Sequence, residues 1–219
     1  MKRVAFAIAW IAVIVGLLAL GAWQVERLAW KRRLIAQVEA RRAAPPTPAP
    51  PSAGPDDAYR RVSATGTFRK NGDSFVQAST VIGPGWWVLT PLRLADGREI
   101  LVNRGYVPTR ATPATPEHRV TVTGLLRLSE PGGGFLHAND PAADRWYSRD
   151  VAAIARRRGL RAAAPYFIDA AQTAPGGPVG GLTVVTFANN HLVYALTWFT
   201  LAVMAAAALI RWVRVERRR

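Results

Sequence analysis

At 219 residues the chain has room for one modest folded core beside accessory segments, and its three histidines are its main metal-binding side chains apart from carboxylates. The absence of cysteine excludes disulfides, thiol catalysis, thiolate metal sites and covalent c-type haem attachment. The formal charge of +15 is unevenly spread: residues 55–188 hold 16 Lys and Arg against 11 Asp and Glu, a net of +5, and the remaining +10 flanks the apolar ends. Basic residues there fix topology and meet anionic headgroups, so the charge does not point to nucleic acid.

Taken in chain order, Lys2 and Arg3 close a short cytoplasmic N-terminus, residues 1–3, ahead of a first transmembrane helix, residues 4–23. Its uncharged run from Val4 to Ala22 is about 28 Å long at the helical rise, enough to cross a bilayer. Ala19-Leu20-Gly21 resembles a signal cleavage site, but the run exceeds the roughly 7–15 residues of a signal core. Residues 24–44 are expected to carry the helix on into the interface, with Leu28, Lys31, Leu34, Ile35 and Val38 at helical spacing and Trp23 and Trp30 at headgroup level. Six prolines between Pro45 and Pro55 then make residues 45–55 an extended linker.

Residues 56–188 read as a mostly β, α+β extracytoplasmic domain. Strand patterns run over Val62–Phe68, Ser74–Ile82, Trp86–Leu94, Ile100–Val107 and Val120–Leu128, and short turns between them suggest antiparallel pairing. Asp150–Arg158 reads as one helix, with Ser148 as N-cap and Gly159 as its stop, ahead of a short strand at Tyr166–Asp169. A second transmembrane helix follows at residues 189–211, uncharged from Leu192 to Ile210, and a basic cytoplasmic tail at residues 212–219. The basic ends place both termini in the cytoplasm and the loop between the spans outside it, and no Arg- and Ser-rich presequence precedes the first span. The expected location is therefore a bacterial inner membrane, with a periplasmic central domain.

The search for an enzyme finds little. His118 and His137 lie in loops at no metal-pair spacing, and neither a Gly-x-Ser-x-Gly elbow nor a phosphate-binding Gly-x-x-x-x-Gly-Lys loop is present. Gly83-Pro84-Gly85 reads as a turn and Asn103-Arg104-Gly105 as a strand end. His191 differs, because it stands at the mouth of the second span, where a neutral imidazole can serve as an axial ligand to the iron of a membrane-embedded haem. On a helix it shares a face with Tyr194 or Ala195, Trp198, Ala202 and Ala205. Ala5, Ala9, Ala12, Gly16 and Ala19 form a matching small-residue stripe on the first span, which suggests close helix approach or a slot for a flat ring. Propionates of such a haem would lie near Arg27, Lys31 or Arg33. Plain helix packing and headgroup contact account for the same residues without a ligand.

Four blocks in order carry a resemblance to a known family. They are Leu20-Gly21-Ala22-Trp23-Gln24-Val25-Glu26-Arg27-Leu28-Ala29-Trp30-Lys31; Gly83-Pro84-Gly85-Trp86-Trp87 with Thr90-Pro91-Leu92; Leu101-Val102-Asn103-Arg104-Gly105-Tyr106-Val107-Pro108; and Asn189 to Trp198. The chain resembles the surfeit locus protein 1 family of cytochrome c oxidase assembly factors, with Tyr106 where that family usually has tryptophan. The resemblance implies a non-enzymatic role in maturing the haem–copper catalytic subunit, with the lipid bilayer, that subunit and a haem a synthase as partners. It implies haem a as a transient cofactor with His191 as axial ligand; on the reading of the residues themselves, Tyr194, Trp198, Trp23, Gln24 and Arg27 are the expected pocket or propionate contacts. A scaffold that stabilises nascent oxidase subunits without touching haem has the same topology.

Overall fold

The computed structural model describes residues 2–111, 114–134, 136–173, 175–182 and 187–218. Residues 183–186, at the C-terminal edge of the expected domain, and part of the Thr112–Pro116 loop lie outside them. Two units result, one of residues 1–37 with 186–219, the other of residues 38–185.

The first unit is a pair of antiparallel helices, α1 (Lys2–Ala43) and α3 (His191–Glu216), each long and apolar enough to cross a membrane. Along the span portion of α1 the less exposed residues are Ala7, Trp10, Ile14, Leu17, Gly21, Gln24 and Leu28, alternating by three and four positions. On α3 the corresponding set is His191, Ala195, Trp198, Ala202, Ala205, Leu209, Trp212 and Glu216, with Phe199, Ala206 and Val213 beside it. A seam that repeats every 3.5 residues is the pattern of left-handed helix pairing. Three polar contacts pin its register. Arg3 pairs with Glu216 at 2.6 Å, the Trp10 indole N–H donates to the Ala205 carbonyl at 2.7 Å, and Gln24 meets His191 at 2.7 Å.

The small-residue stripe expected to face the second helix does not do so. Ala5, Ala9, Ala12, Gly16 and Ala19 are all exposed, and nothing lies within 4 Å of where a Gly16 Cβ would stand. The reason is steric: α3 already supplies the small side of the seam through Ala195 and Ala202, both 2% exposed, so α1 answers with larger residues. Where α3 is bulky, at Phe199, α1 has Gly21 beneath the ring.

The second unit is built on seven strands: β1 (Thr47–Pro48), β2 (Arg61–Phe68), β3 (Ser74–Thr80), β4 (Gly83–Leu94), β5 (Glu99–Val107), β6 (Val120–Leu128) and β7 (Ala163–Ala170). β2, β6, β7, β5 and β4 pair in that order, and β4 returns to β2, closing a five-stranded barrel with β3 and β1 appended to β4 and β2. Alternate residues fill it. Val62, Leu92, Ile100, Val102, Leu126, Tyr166 and Ile168 are all fully buried, and mid-sized branched side chains suit so narrow a barrel. On the outer face, α2 (Val151–Arg158) sets Val151 and Ile154 with Trp146 over Leu89, Leu101 and Phe167. Strands β5 and β7 are thus covered on both faces, which erases their polar–apolar alternation.

Four expectations change. The sheet is not wholly antiparallel, since β5 pairs with β7, and β1 with β2, in parallel. Gly83-Pro84-Gly85 is no turn but the start of β4, opposite Ala78, Ser79 and Thr80, with the turn at Val81 and Ile82. Asp150 rather than Ser148 caps α2, its carboxylate accepting from the Ala153 N–H at 3.0 Å, while the Ser148 hydroxyl donates to the Glu130 carbonyl. The longer carboxylate at the position adjoining the helix reaches the free N–H groups of its first turn. Finally, the extended segment 45–55 is more than a linker: β1 pairs with β2 and Ala49 is buried in the barrel core.

Candidate functional site

His191 opens α3, so its backbone N–H is among those a helix leaves without an intrahelical acceptor, and a polar start at Asn189-Asn190-His191 suits that position. The ring is half-buried, and its Nδ1 lies 2.7 Å from the Oε1 of Gln24. A carboxamide oxygen can only accept, so a neutral imidazole bonded to it has its proton on Nδ1 and its lone pair on Nε2. That lone pair is what a metal ion needs from a histidine. Between the Arg3–Glu216 pair and the Gln24–His191 contact, α1 advances by about 30 Å, the thickness of a bilayer's hydrocarbon core. The imidazole therefore stands about one hydrocarbon-core thickness along the helix pair from the Arg3–Glu216 ion pair.

Of the other candidate residues, Trp198 shares the seam with His191 and is half-buried. Gln24 is drawn in as the histidine's own partner. Tyr194, 53% exposed, and Trp23, 51% exposed, point away from the seam. Arg27 is likewise exposed and lies over the Trp30 ring at 4.5 Å, while the Lys31 ammonium lies 5.5 Å from the Phe187 ring centre. Sequence reasoning passed over Asn189, whose Oδ1 is buried without a hydrogen-bond partner. The polar doublet before the span was its signal, but burial is a property of the packed pair.

The second and third sequence blocks meet each other in the barrel. Trp86 and Trp87 on β4 pair with Val107 and Tyr106 on β5, the Tyr106 hydroxyl donates to the Pro84 carbonyl at 2.8 Å, and Gly85 lies under its ring. Gly105, with φ of +132°, brings β5 against the backbone of Val179 and Gly180, where a Cβ would collide. The neighbouring Asn103 donates to Asp169, and Arg104 donates to Thr115 and the Ala114 carbonyl while pairing with Asp73. Burial pulls the Arg104 guanidinium below the usual arginine range, and the Asp73 charge offsets part of that. These blocks build the barrel. His118 and His137 are exposed, and among the described residues no three His, Asp or Glu side chains gather around a metal-sized site.

Two candidate membrane helices that bracket a closed five-stranded barrel in the sequence, with a half-buried histidine at one end of the helix pair, define a membrane-anchored barrel protein. Comparison with known proteins gives the particular family. A model of the SURF1 family matches residues 11–203. Surfeit locus protein 1 of Rattus norvegicus is 37% identical over 226 residues, covering 91% of this chain and 72% of the relative. The Homo sapiens protein of the same name is 37% identical over 222 residues, covering 88% and 73%. The SURF1-like protein of Monosiga brevicollis is 37% identical over 224 residues, covering 91% and 83%. The chain belongs to the SURF1 family, known as cytochrome c oxidase assembly factors.

Proposed function

We propose that this chain assists assembly of a haem–copper cytochrome c oxidase by holding haem a transiently at His191 before its insertion into the catalytic subunit. The observation that supports this reading is the contact at His191: at one end of the paired apolar helices its Nδ1 lies 2.7 Å from Gln24 Oε1, an arrangement that leaves Nε2 to a metal when the ring is neutral. The donor fits the group, since a neutral imidazole whose second nitrogen is hydrogen-bonded is the usual form of a histidine metal ligand. When bound, haem a supplies a redox iron and a long isoprenoid tail that partitions into lipid. His191 Nε2 would hold that iron reversibly at the membrane surface until it passes to the catalytic subunit.

The rest of the molecule suits an assembly role. Lys2 and Arg3 at one end and Arg211, Arg214, Arg217 and Arg218 at the other favour cytoplasmic termini, and so a periplasmic barrel in a bacterial inner membrane. The barrel would dock onto the nascent catalytic subunit or a haem a synthase by surface complementarity, without chemistry of its own.

The test is the reduced-minus-oxidised absorption spectrum of detergent-purified protein from cells making haem a. An a-type band is expected in the wild type and its loss in His191→Ala, with helix content by circular dichroism unchanged. A variant that keeps the full band would remove His191 from the role. No band in either protein, with oxidase subunits still co-purifying, would favour a scaffold.

A further inference from the structure

We propose that Gln24 is the positioning residue for His191: from the first span its carbonyl oxygen holds the imidazole as the Nδ1–H tautomer and so makes Nε2 the ligating atom. The inference rests on His191 being the haem ligand, but its primary readout needs no haem. Free imidazole in water favours the other tautomer, in which Nε2 carries the proton and has no lone pair for a metal. An acceptor must therefore be supplied at Nδ1. Gln24 Oε1 is that acceptor, 2.7 Å away. Hydrogen bonds of this kind also fix ring orientation and raise the basicity of the ligating nitrogen.

The partners sit 167 positions apart in sequence and on different spans. Ligand competence at His191 is thus conditional on the helix pair being in register: a pair slipped by one turn, about 5.4 Å, would carry Gln24 beyond hydrogen-bonding reach. The register is held independently, by the Trp10 indole bonded to Ala205 and the Arg3–Glu216 pair, so Gln24 is not needed to align the helices. Its remaining role is at the ring.

The chain has three histidines, so nitrogen NMR of full-length protein carrying ¹⁵N-histidine gives three ring systems, and His191→Ala assigns the one of interest. In the wild-type apoprotein Nδ1 of His191 should be protonated and Nε2 bare. In Gln24→Met, close in volume but lacking the acceptor, His191 should move to the Nε2–H form while the Trp10 indole N–H resonance stays in place. Ferric haem titrated into the same samples should bind Gln24→Met about 10- to 100-fold more weakly than wild type. Gln24→Met added to His191→Ala should cost nothing further, which separates action through the ring from a general loss of structure.

A wild-type Nε2–H tautomer, or a tautomer unmoved by Gln24→Met, overturns the positioning role and leaves His191→Ala to judge the ligand. A tautomer switch with haem affinity unmoved in Gln24→Met and His191→Ala alike removes the ligand reading, and the positioning role with it. Should the Trp10 resonance shift, the wild-type tautomer alone decides.

Discussion

Asp169 shows how much of the barrel hangs on single buried charges. Its carboxylate, 2% exposed, accepts from Asn103 at 2.8 Å and Arg127 at 3.0 Å and lies 3.6 Å from Arg149. Both arginines also bond Glu130 and lie over the Phe167 ring. Burial alone would lower the Arg149 pKa, but the Asp169 and Glu130 charges outweigh it and hold the group above the usual arginine value. Asp169→Ala removes the more deeply buried of the two anions these arginines share and leaves Glu130 as their partner, which should cost about 1–3 kcal/mol, read as a lower urea midpoint at unchanged slope. Tyr166 gives a pH signature of the same kind. Burial pushes its hydroxyl up from 10.0 to about 12, with Arg98 pulling partly the other way. A pKa raised on folding means that this stability is complete below pH 10 and is lost as pH rises toward 12, because the unfolded chain ionises first. Denaturant midpoints should fall across that window, and Tyr166→Phe should flatten the fall. Such pairings were not readable beforehand: the sequence shows an Asp and a Tyr in a short strand, whereas their partners come from Pro50, Asn103, Arg127 and Arg149.

At the scale of elements, the hydropathy of the two spans was plain and their facing was not. Every position from Val4 to Ala22 is apolar, so periodicity has no polar residue to mark an outside, and small-residue spacing pointed to the wrong face of α1. The true seam is set by complementary size, seen clearest where Phe199 lies over Gly21. A Cβ at residue 21 would fall within 3 Å of that ring. Gly21→Leu should therefore drive the helices apart and break the Gln24–His191 contact one turn away, although hydrophobicity is raised and insertion is unimpaired. The expected result is a lost Trp10 indole bond and weaker ferric haem binding with normal membrane yield. Retained haem affinity would show that the seam tolerates a side chain there. Strands fared better, because β2 and β6 keep one face on the barrel core and alternate. β5 and β7 gave only short apolar runs, and nothing local announces that they lie side by side in parallel.

Across the whole molecule, the resemblance blocks sort by unit: the first and fourth join in the helix pair through Gln24 and His191, the second and third across β4 and β5. Family membership was legible in those blocks, but the division of labour between them needed the contacts. The proline-rich segment does more than connect. Proline fixes extended torsions, and that suits a stiff spacer and an edge strand equally well. Here the segment is part of the barrel: the Ala49 N–H donates to the Ser63 carbonyl at 2.9 Å, and the Pro50 carbonyl accepts from Arg98 at 2.9 Å and from the Tyr166 hydroxyl at 2.6 Å. Removing it would uncover the core beside Ala49 and leave a buried hydroxyl without its acceptor, a loss of about 3 kcal/mol from three hydrogen bonds at about 1 kcal/mol each. A soluble fragment of residues 44–182 should accordingly unfold in one cooperative step, while residues 56–182 should fold to the same five-stranded barrel with a melting temperature lower by roughly 8–15 °C. Equal melting temperatures for the two fragments would mean that the prolines only space the barrel from α1 and contribute nothing to its closure.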